Sequence, residues 1–186
     1  MENSETKNYE RIVELIRKIA PPLALENVIV DIEEAVESIG IDVKYSDMTH
    51  LDMEGVSGYV FSKEGKPIIV VNGEDVEEKR RFTIAHELGH VFLHWGWLPN
   101  EKLKDNLVEI SFRNGKYNKE QLEMEEEANK FAAEFLAPRK KVKESLKEYQ
   151  EQGIFNEVEQ IYNLSKEYNV SNSMAYRLWI NAQGSL

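Results

Sequence analysis

Three of the four histidines of this chain lie within nine residues, in the run HELGHVFLH at positions 86–94. Residues four apart on a helix share a face, so His86 and His90 would present two imidazoles to one point, with Glu87 at the edge of that face. HExxH on a helix is typical of zinc peptidases, in which both histidines hold Zn²⁺ and the glutamate accepts a proton from the activated water. We therefore predict His86 and His90 as metal ligands and Glu87 as the catalytic base.

A third histidine, His94, continues the same series. Each step of four residues turns about 40° further around an α-helix, so we expect His94 at the rim of the site. There it could bind substrate, stabilise an oxyanion or cap the end of the helix, and the sequence leaves these roles open.

A catalytic zinc also needs a third protein ligand. The pattern HExxHxxGxxH is excluded because this chain has Leu93 and Gly96 where that pattern requires Gly and His. The other common solution takes a glutamate from a second helix, and the acidic stretch EMEEEANKFAAEFLAP at 123–138 is the obvious source.

Helical phase separates the glutamates of that stretch. The apolar residues around Ala128 and Phe135 define an inward arc, and Glu125 lies about 50° from its centre. Glu125 is therefore the favoured third ligand, with Glu126 or Glu127 as alternatives. Four glutamates lie more than about 100° from the centre of the arc and are expected to point into solvent: Glu123, Glu126, Glu127 and Glu134.

Two further residues support a close pair of helices. Asn129 lies four residues after Glu125 and could hydrogen-bond a metal ligand from behind. Gly89 costs about 1 kcal/mol relative to Ala inside a helix, so we expect another backbone to approach there, helped by the small side chain of Ala128.

Apolar periodicity predicts the elements that must position these residues. A first helix ends before Pro21, and a second runs from Val28 to about Gly40, where a glycine suits the helix end. Short strands follow, two of them forming a hairpin at 63–66. The later elements are a buried helix over 75–94, a strand at 107–112, and helices over 118–136, 154–168 and 172–182.

This order predicts an α+β fold: a mostly helical, zincin-like domain with a small antiparallel sheet packed on the HExxH helix. We expect an N-terminal helix and linker over residues 1–26 and a metallopeptidase domain over 27–186. The length of 186 residues and the 41 % hydrophobic content suit a chain that folds unaided.

Composition narrows the possible functions. The chain has no cysteine, which excludes thiolate metal sites and thiol nucleophiles. A net charge of -11 argues against direct binding of nucleic acid, and it suits a basic protein partner as well as simple solubility. Neither a signal peptide nor a membrane span is evident, so we expect a cytoplasmic protein without membrane contact.

The run RRFTIAHELGHVFLH follows GVSGYVFSKEGKPIIVVN and precedes EEEANKFAAEFLAP and NVSNSMAYRL. In this order the motifs closely resemble the ImmA/IrrE family of zinc metallopeptidases, over roughly residues 27–181. The resemblance implies one zinc per chain held by His86, His90 and Glu125, with Glu87 as base. It also implies an antirepressor role beside mobile elements, prophages or stress regulons, with a helix-turn-helix repressor as the protein substrate.

Two competing interpretations remain. The chain could act without proteolysis, as an antirepressor or scaffold with a structural or relic metal site, although such a site has no use for the general base Glu87. The segment LSKEYNVSNSMAYRLWIN also faintly resembles a helix-turn-helix. It carries only Lys166 and Arg177 as cations, which makes it a poor reader of DNA.

Overall fold

The computed structural model describes residues 8–48, 56–105, 107–110 and 118–183, and within them the chain is an α+β fold dominated by helices. The strands are β1 (Asp42–Ser46), β2 (Gly58–Lys63), β3 (Lys66–Asn72) and β4 (Val108–Ile110). The helices are α1 (Tyr9–Ile19), α2 (Leu25–Val30), α3 (Ile32–Glu37), α4 (Glu77–Gly89), α5 (Lys119–Leu136), α6 (Arg139–Glu151), α7 (Glu157–Glu167) and α8 (Asn172–Gln183).

The described strands form one sheet in the order β1-β3-β2-β4. The predicted hairpin is confirmed: β2 and β3 pair antiparallel, and their turn places Glu64 and Gly65 at φ 53° and 80°. Positive φ at both central residues is the geometry that matches the twist of two paired strands. β4 pairs antiparallel with β2 and corresponds to part of the strand expected at 107–112. The last two residues of that expected strand lie outside the described residues.

The expectation of an all-antiparallel sheet is wrong for β1, which pairs parallel to β3 with Val43 opposite Ile69. The hairpin partner β2 occupies one edge of β3, so β1 takes the other edge. Between β1 and β3 the chain reverses direction twice, and the two strands therefore run the same way. The sheet is mixed.

Helix α4 packs on the sheet and is buried along its second half, from Thr83 to Gly89, as the apolar pattern predicts. A Cβ atom at Gly58, the first residue of β2, would collide with the Thr83 methyl group and the Val70 carbonyl oxygen. The absence of a side chain at Gly58 thus allows the helix to lie directly against the sheet.

Helix α5 packs across α4 at Gly89, as expected from the glycine. A Cβ atom at Gly89 would lie 3.1 Å from Ala128 Cα and 3.2 Å from Phe131 Cδ1. α5 begins at a capping box, in which Asn118 Oδ1 accepts from the Gln121 amide and the Gln121 side chain accepts from the Asn118 amide. The two helices that carry the candidate ligands therefore meet at a contact that only small residues permit.

Two helical predictions need correction, and one helix was missed. The single helix expected from Val28 is two short helices, because Asp31 is extended and its side chain caps α3 by accepting from the Glu34 amide. Helix α6 was not predicted, although Val142, Leu146 and Tyr149 form its buried stripe at helical spacing. The helix over 75–94 changes its winding at His90, where a π-helix (His90–His94) begins.

The N-terminal helix α1 is part of the core. Val13 and Ile16 are buried, and Arg17 donates hydrogen bonds to the carbonyl oxygens of Leu23 and of Phe135 at the end of α5. α1 ends before Pro21, as predicted. The helices of the described residues are all too short or too polar to serve as a bilayer crossing.

Candidate metal site

The HExxH stretch spans the last turn of α4 and the π-helix that continues it. The Trp95 amide donates to the His90 carbonyl oxygen at 3.0 Å, an i→i+5 bond that widens the turn beyond 3.6 residues. Four residues span slightly less than one such turn, whereas they span slightly more than one turn of an α-helix, so the two rotations offset each other. The rings of His86, His90 and His94 therefore lie along one face in edge-to-face contact, with successive centroids 4.9 Å and 4.8 Å apart.

Helix α5 brings Glu125 to the first two of these histidines. Its carboxylate oxygens lie 3.2 Å from His86 Nε2 and 3.4 Å from His90 Nε2, and the two Nε2 atoms are 3.1 Å apart. Among the described residues these three form a cluster whose potential ligand atoms all lie within 4.8 Å of one another. The structure thus brings together the two histidines and the glutamate that helical phase favoured.

The alternative glutamates lie elsewhere. Glu126 is exposed and pairs with Lys130 at 2.6 Å. Glu127 does not point into solvent as expected: its Oε2 atom lies 3.2 Å from His94 Nε2, and its side chain is 27 % exposed. Neither side chain reaches the cluster of His86, His90 and Glu125.

Asn129 contacts the back of the first histidine. Its Oδ1 atom lies 3.0 Å from His86 Nδ1, the ring nitrogen that faces away from the cluster. An amide oxygen can only accept, so Nδ1 carries a proton, and Nε2 is the nitrogen left to bind a metal in place of its own proton. The hydrogen bond predicted for Asn129 is present, and it selects the tautomer of His86 that can bind a metal.

His94 is not at the rim where the α-helical drift would have placed it. Its side chain is 7 % exposed, and its Nδ1 atom lies 2.9 Å from His90 Nδ1. The π-helix is the reason, because the wider turn cancels the drift expected of an α-helix. The nitrogen atoms of His94 contact His90 and Glu127, and this arrangement was not foreseen.

Glu87 is almost completely buried, with 1 % of its surface exposed. Its Oε1 atom lies 3.8 Å from the position that a Cβ atom would take at Gly58, so the carboxylate extends toward the start of β2. Burying a carboxylate is costly unless hydrogen bonds or a nearby positive charge compensate it. Because Glu87 directly follows His86, its carboxylate lies near the cluster and acts electrostatically on His86.

The two histidines of the cluster favour the ionised form of the Glu125 carboxylate. Burial acts to raise the pKa of Glu125, but hydrogen bonds with His86 and His90 outweigh it and hold that pKa far below its ordinary range. Burial likewise opposes protonation of His86, yet the hydrogen bond with Glu125 and the charge of Glu87 raise its pKa. Without a metal, the carboxylates therefore favour a proton on His86, which supplies the positive charge that a metal ion would otherwise bring.

Two imidazole nitrogens and one carboxylate oxygen are a donor set suited to a transition-metal ion. A glutamate buried beside such an ion is the arrangement of a hydrolytic centre rather than of a closed structural site. The fold and the site together define a metallopeptidase-type domain.

Comparison with known families agrees with this class. Residues 36–178 match the family Peptidase_M78, described as the IrrE N-terminal-like domain, and the chain belongs to that family. The match confirms the resemblance to the ImmA/IrrE metallopeptidases. No curated protein matches the chain.

Sequence reasoning missed the contact between His94 and Glu127. The only signal for it was spacing: His94 lies four residues after His90, and Glu127 lies two residues after the favoured ligand Glu125. Both residues had been placed by the 100° step of an α-helix, and the π-helix invalidates that step for His94.

Proposed function

We propose that this chain is a zinc-dependent endopeptidase that cleaves a helix-turn-helix transcriptional repressor and so relieves repression. The observation that carries the catalytic part is the cluster of His86, His90 and Glu125, with ligand atoms within 4.8 Å, beside the buried carboxylate of Glu87. Membership of the Peptidase_M78 family supports the same reaction class.

Zinc fits the residues present. Zn²⁺ prefers histidine nitrogen and carboxylate oxygen, and catalytic sites use three protein ligands so that one position remains for water or substrate. The cluster found among the described residues has three members. Asn129 supports the fit, because it holds His86 in the tautomer whose Nε2 atom can bind a metal.

The mechanism assigns one role to each group. Zinc, when bound, supplies Lewis-acid activation of water and of the scissile carbonyl group near neutral pH. Glu87 accepts a proton from the attacking water on a carboxylate oxygen and later delivers it to the departing amine nitrogen. The surrounding packing, with Glu87 against β2 and His90 fully buried, holds both groups in position.

A repressor as substrate is the part of the proposal that rests on the family resemblance and on charge. DNA-binding repressors carry basic surfaces, and a chain of net charge -11 would attract them. The same charge disfavours direct contact with nucleic acid by this chain. We therefore propose a protein partner, with recognition outside the metal site supplying the selectivity for one bond.

Metal content tests the site. Mass spectrometry of purified protein should find about one zinc per chain in the wild type and in Glu126→Ala, and markedly less in Glu125→Ala. Glu126→Ala is the matched control, since it removes a carboxylate from the same helix without touching the histidines. A wild type that takes up no zinc when zinc is supplied would refute the enzyme and favour a binding-only antirepressor.

Cleavage tests the reaction. Zinc-loaded wild type and Glu87→Gln would be incubated with an extract of the source cells, and newly formed protein N-termini compared by mass spectrometry. We expect new termini in very few proteins, DNA-binding repressors among them, and none with Glu87→Gln although it retains its zinc. Relief of repression by Glu87→Gln would contradict proteolysis and support the scaffold alternative.

A further inference from the structure

The side chains of His94 and Glu127 lie behind the second histidine of the cluster, in a row that is buried at His94 and partly exposed at Glu127. Glu127 Oε2 is 3.2 Å from His94 Nε2, and His94 Nδ1 is 2.9 Å from His90 Nδ1. The other nitrogen of His90, Nε2, faces the cluster at 3.1 Å from His86 Nε2. His90 is therefore held between the candidate metal position and a second imidazole.

Hydrogen-bond chemistry allows one arrangement of protons in this row once a metal is bound. If His90 Nε2 gives its lone pair to the metal, the ring proton of His90 resides on Nδ1, which then donates to His94 Nδ1. A neutral His94 that accepts at Nδ1 carries its own proton on Nε2. That N–H faces Glu127, whose carboxylate oxygen accepts it.

Every contact in the row then has one donor and one acceptor. A doubly protonated His94 would set two N–H groups against each other at 2.9 Å, and a row of the opposite polarity would place the proton of His90 on the nitrogen needed for the metal. The geometry is thus matched to one state of His90, the state that binds a cation.

We propose that His94 and Glu127 are positioning residues for the metal site: they fix the ring of His90 and its tautomer, and the charge of Glu127 strengthens His90 as a donor. This inference rests on the proposed zinc site. The roles considered for His94 at the rim, in substrate or oxyanion binding, are replaced by one behind the ligand. Such contacts behind a metal ligand typically change metal affinity about 10- to 100-fold when removed.

The two ligand histidines are supported differently. His86 donates to the neutral amide of Asn129, while His90 donates through an imidazole to a carboxylate. Glu127 acts on His90 only through His94: by accepting from His94 Nε2 it makes Nδ1 of that ring a stronger acceptor for the N–H of His90.

The test measures metal binding directly. Zn²⁺ affinity would be determined by competition with a chromophoric chelator, and the visible spectrum recorded with Co²⁺, for wild type, His94→Phe, Glu127→Ala, the double variant and Glu126→Ala. His94→Phe retains a ring of similar size but can neither accept nor donate. Glu126→Ala matches Glu127→Ala in charge and helix, and its side chain faces Lys130 instead of the histidines.

We expect His94→Phe and Glu127→Ala each to weaken Zn²⁺ binding by about 10- to 100-fold and to shift the Co²⁺ spectrum, with Glu126→Ala unchanged. The double variant should bind no more weakly than His94→Phe, because Glu127 acts through His94. A purely structural role would change the unfolding transition without this spectral shift or this non-additivity.

The outcomes separate the inference from the function on which it rests. Equal Zn²⁺ affinity and identical Co²⁺ spectra in wild type, His94→Phe and Glu127→Ala would overturn the inference and leave the metal site standing. Failure of the wild type to bind either metal would overturn both. Should His94→Phe fail to fold by circular dichroism, Glu127→Ala decides, since its side chain is partly exposed and its loss leaves the core intact.

Discussion

A single amide oxygen holds the first ligand histidine in its metal-binding tautomer. Asn129 accepts from His86 Nδ1 at 3.0 Å, although the rest of Asn129 is exposed. We expect Asn129→Ala to weaken Zn²⁺ binding by about tenfold or more, with little change in the free energy of unfolding of the metal-free protein. Lys130→Ala, an exposed neighbour on the same helix, should bind zinc like the wild type. Equal affinities for the two variants would contradict this role of Asn129.

At this scale, the limits of sequence reasoning follow from helical phase. Glu125 could be predicted because α5 is a regular helix, so the 100° step places it beside the buried face. His94 could not be placed, since the winding changes at His90 and a π-turn leaves no recognisable pattern in a run of five residues. Glu127 was misplaced for a related reason, because its partner was expected elsewhere.

At the scale of elements, the contact between α4 and α5 depends on Gly89. Alanine is the better helix former by about 1 kcal/mol, but its Cβ atom would lie 3.1 Å from the backbone of Ala128. Overpacking of this kind costs about 1–3 kcal/mol, so Gly89→Ala should lower the free energy of unfolding and also weaken zinc binding by separating the helices. Urea unfolding would measure the first effect.

Gly73→Ala provides the comparison, because its new Cβ atom would meet its nearest neighbours at 3.8 Å. We expect that variant to unfold close to the wild-type urea midpoint. A Gly89→Ala protein that is as stable as Gly73→Ala would mean that α5 can move away at no cost.

A second element contact, between α6 and α7, gives a dependence on pH. Burial and the nearby Glu167 carboxylate raise the pKa of Tyr168 to about 12, and its hydroxyl group contacts Ser145 Oγ at 2.9 Å. The folded protein thus holds this proton more tightly than the unfolded chain does. Its stabilisation is complete below pH 10 and is lost as the pH rises toward 12.

We therefore expect urea midpoints to fall between pH 10 and pH 11, and to fall less steeply in Tyr168→Phe. Tyr149, whose pKa is also raised by burial and by Glu167, contributes in the same direction. An identical decline in Tyr168→Phe and wild type would show that Tyr168 titrates alike in the folded and unfolded chains.

The helices and strands could be predicted where a local sequence signal determines the structure. The hairpin turn, the capped start of α5 and the end of α1 before Pro21 each depend on a local signal. The parallel pairing of β1 depends on which edge of β3 the hairpin leaves open, a tertiary question. The split at Asp31 arose because a helix-capping side chain interrupts an otherwise continuous apolar pattern.

At the scale of the whole molecule, metal binding and folding should be coupled, since the ligands come from α4 and α5 at the centre of the core. Zinc at a hundredfold excess over its dissociation constant would add about 2.7 kcal/mol of stability. For a chain of this length that raises the melting temperature by roughly 5–10 °C. Differential scanning fluorimetry with zinc or with a chelator should show this shift in the wild type and a much smaller one in Glu125→Ala.

The hydrogen bonds of Arg17 show that the residues matched by the family and the residues that form the folded core do not coincide. The family match begins at residue 36, whereas Arg17 reaches across to the last turn of α5 and lies over the Phe135 ring. A protein truncated to the matched residues would lose Val13 and Ile16 from the core and would expose one side of α5 to solvent. The structural unit described by the core therefore extends beyond the matched residues 36–178, since α1 contributes side chains to that core.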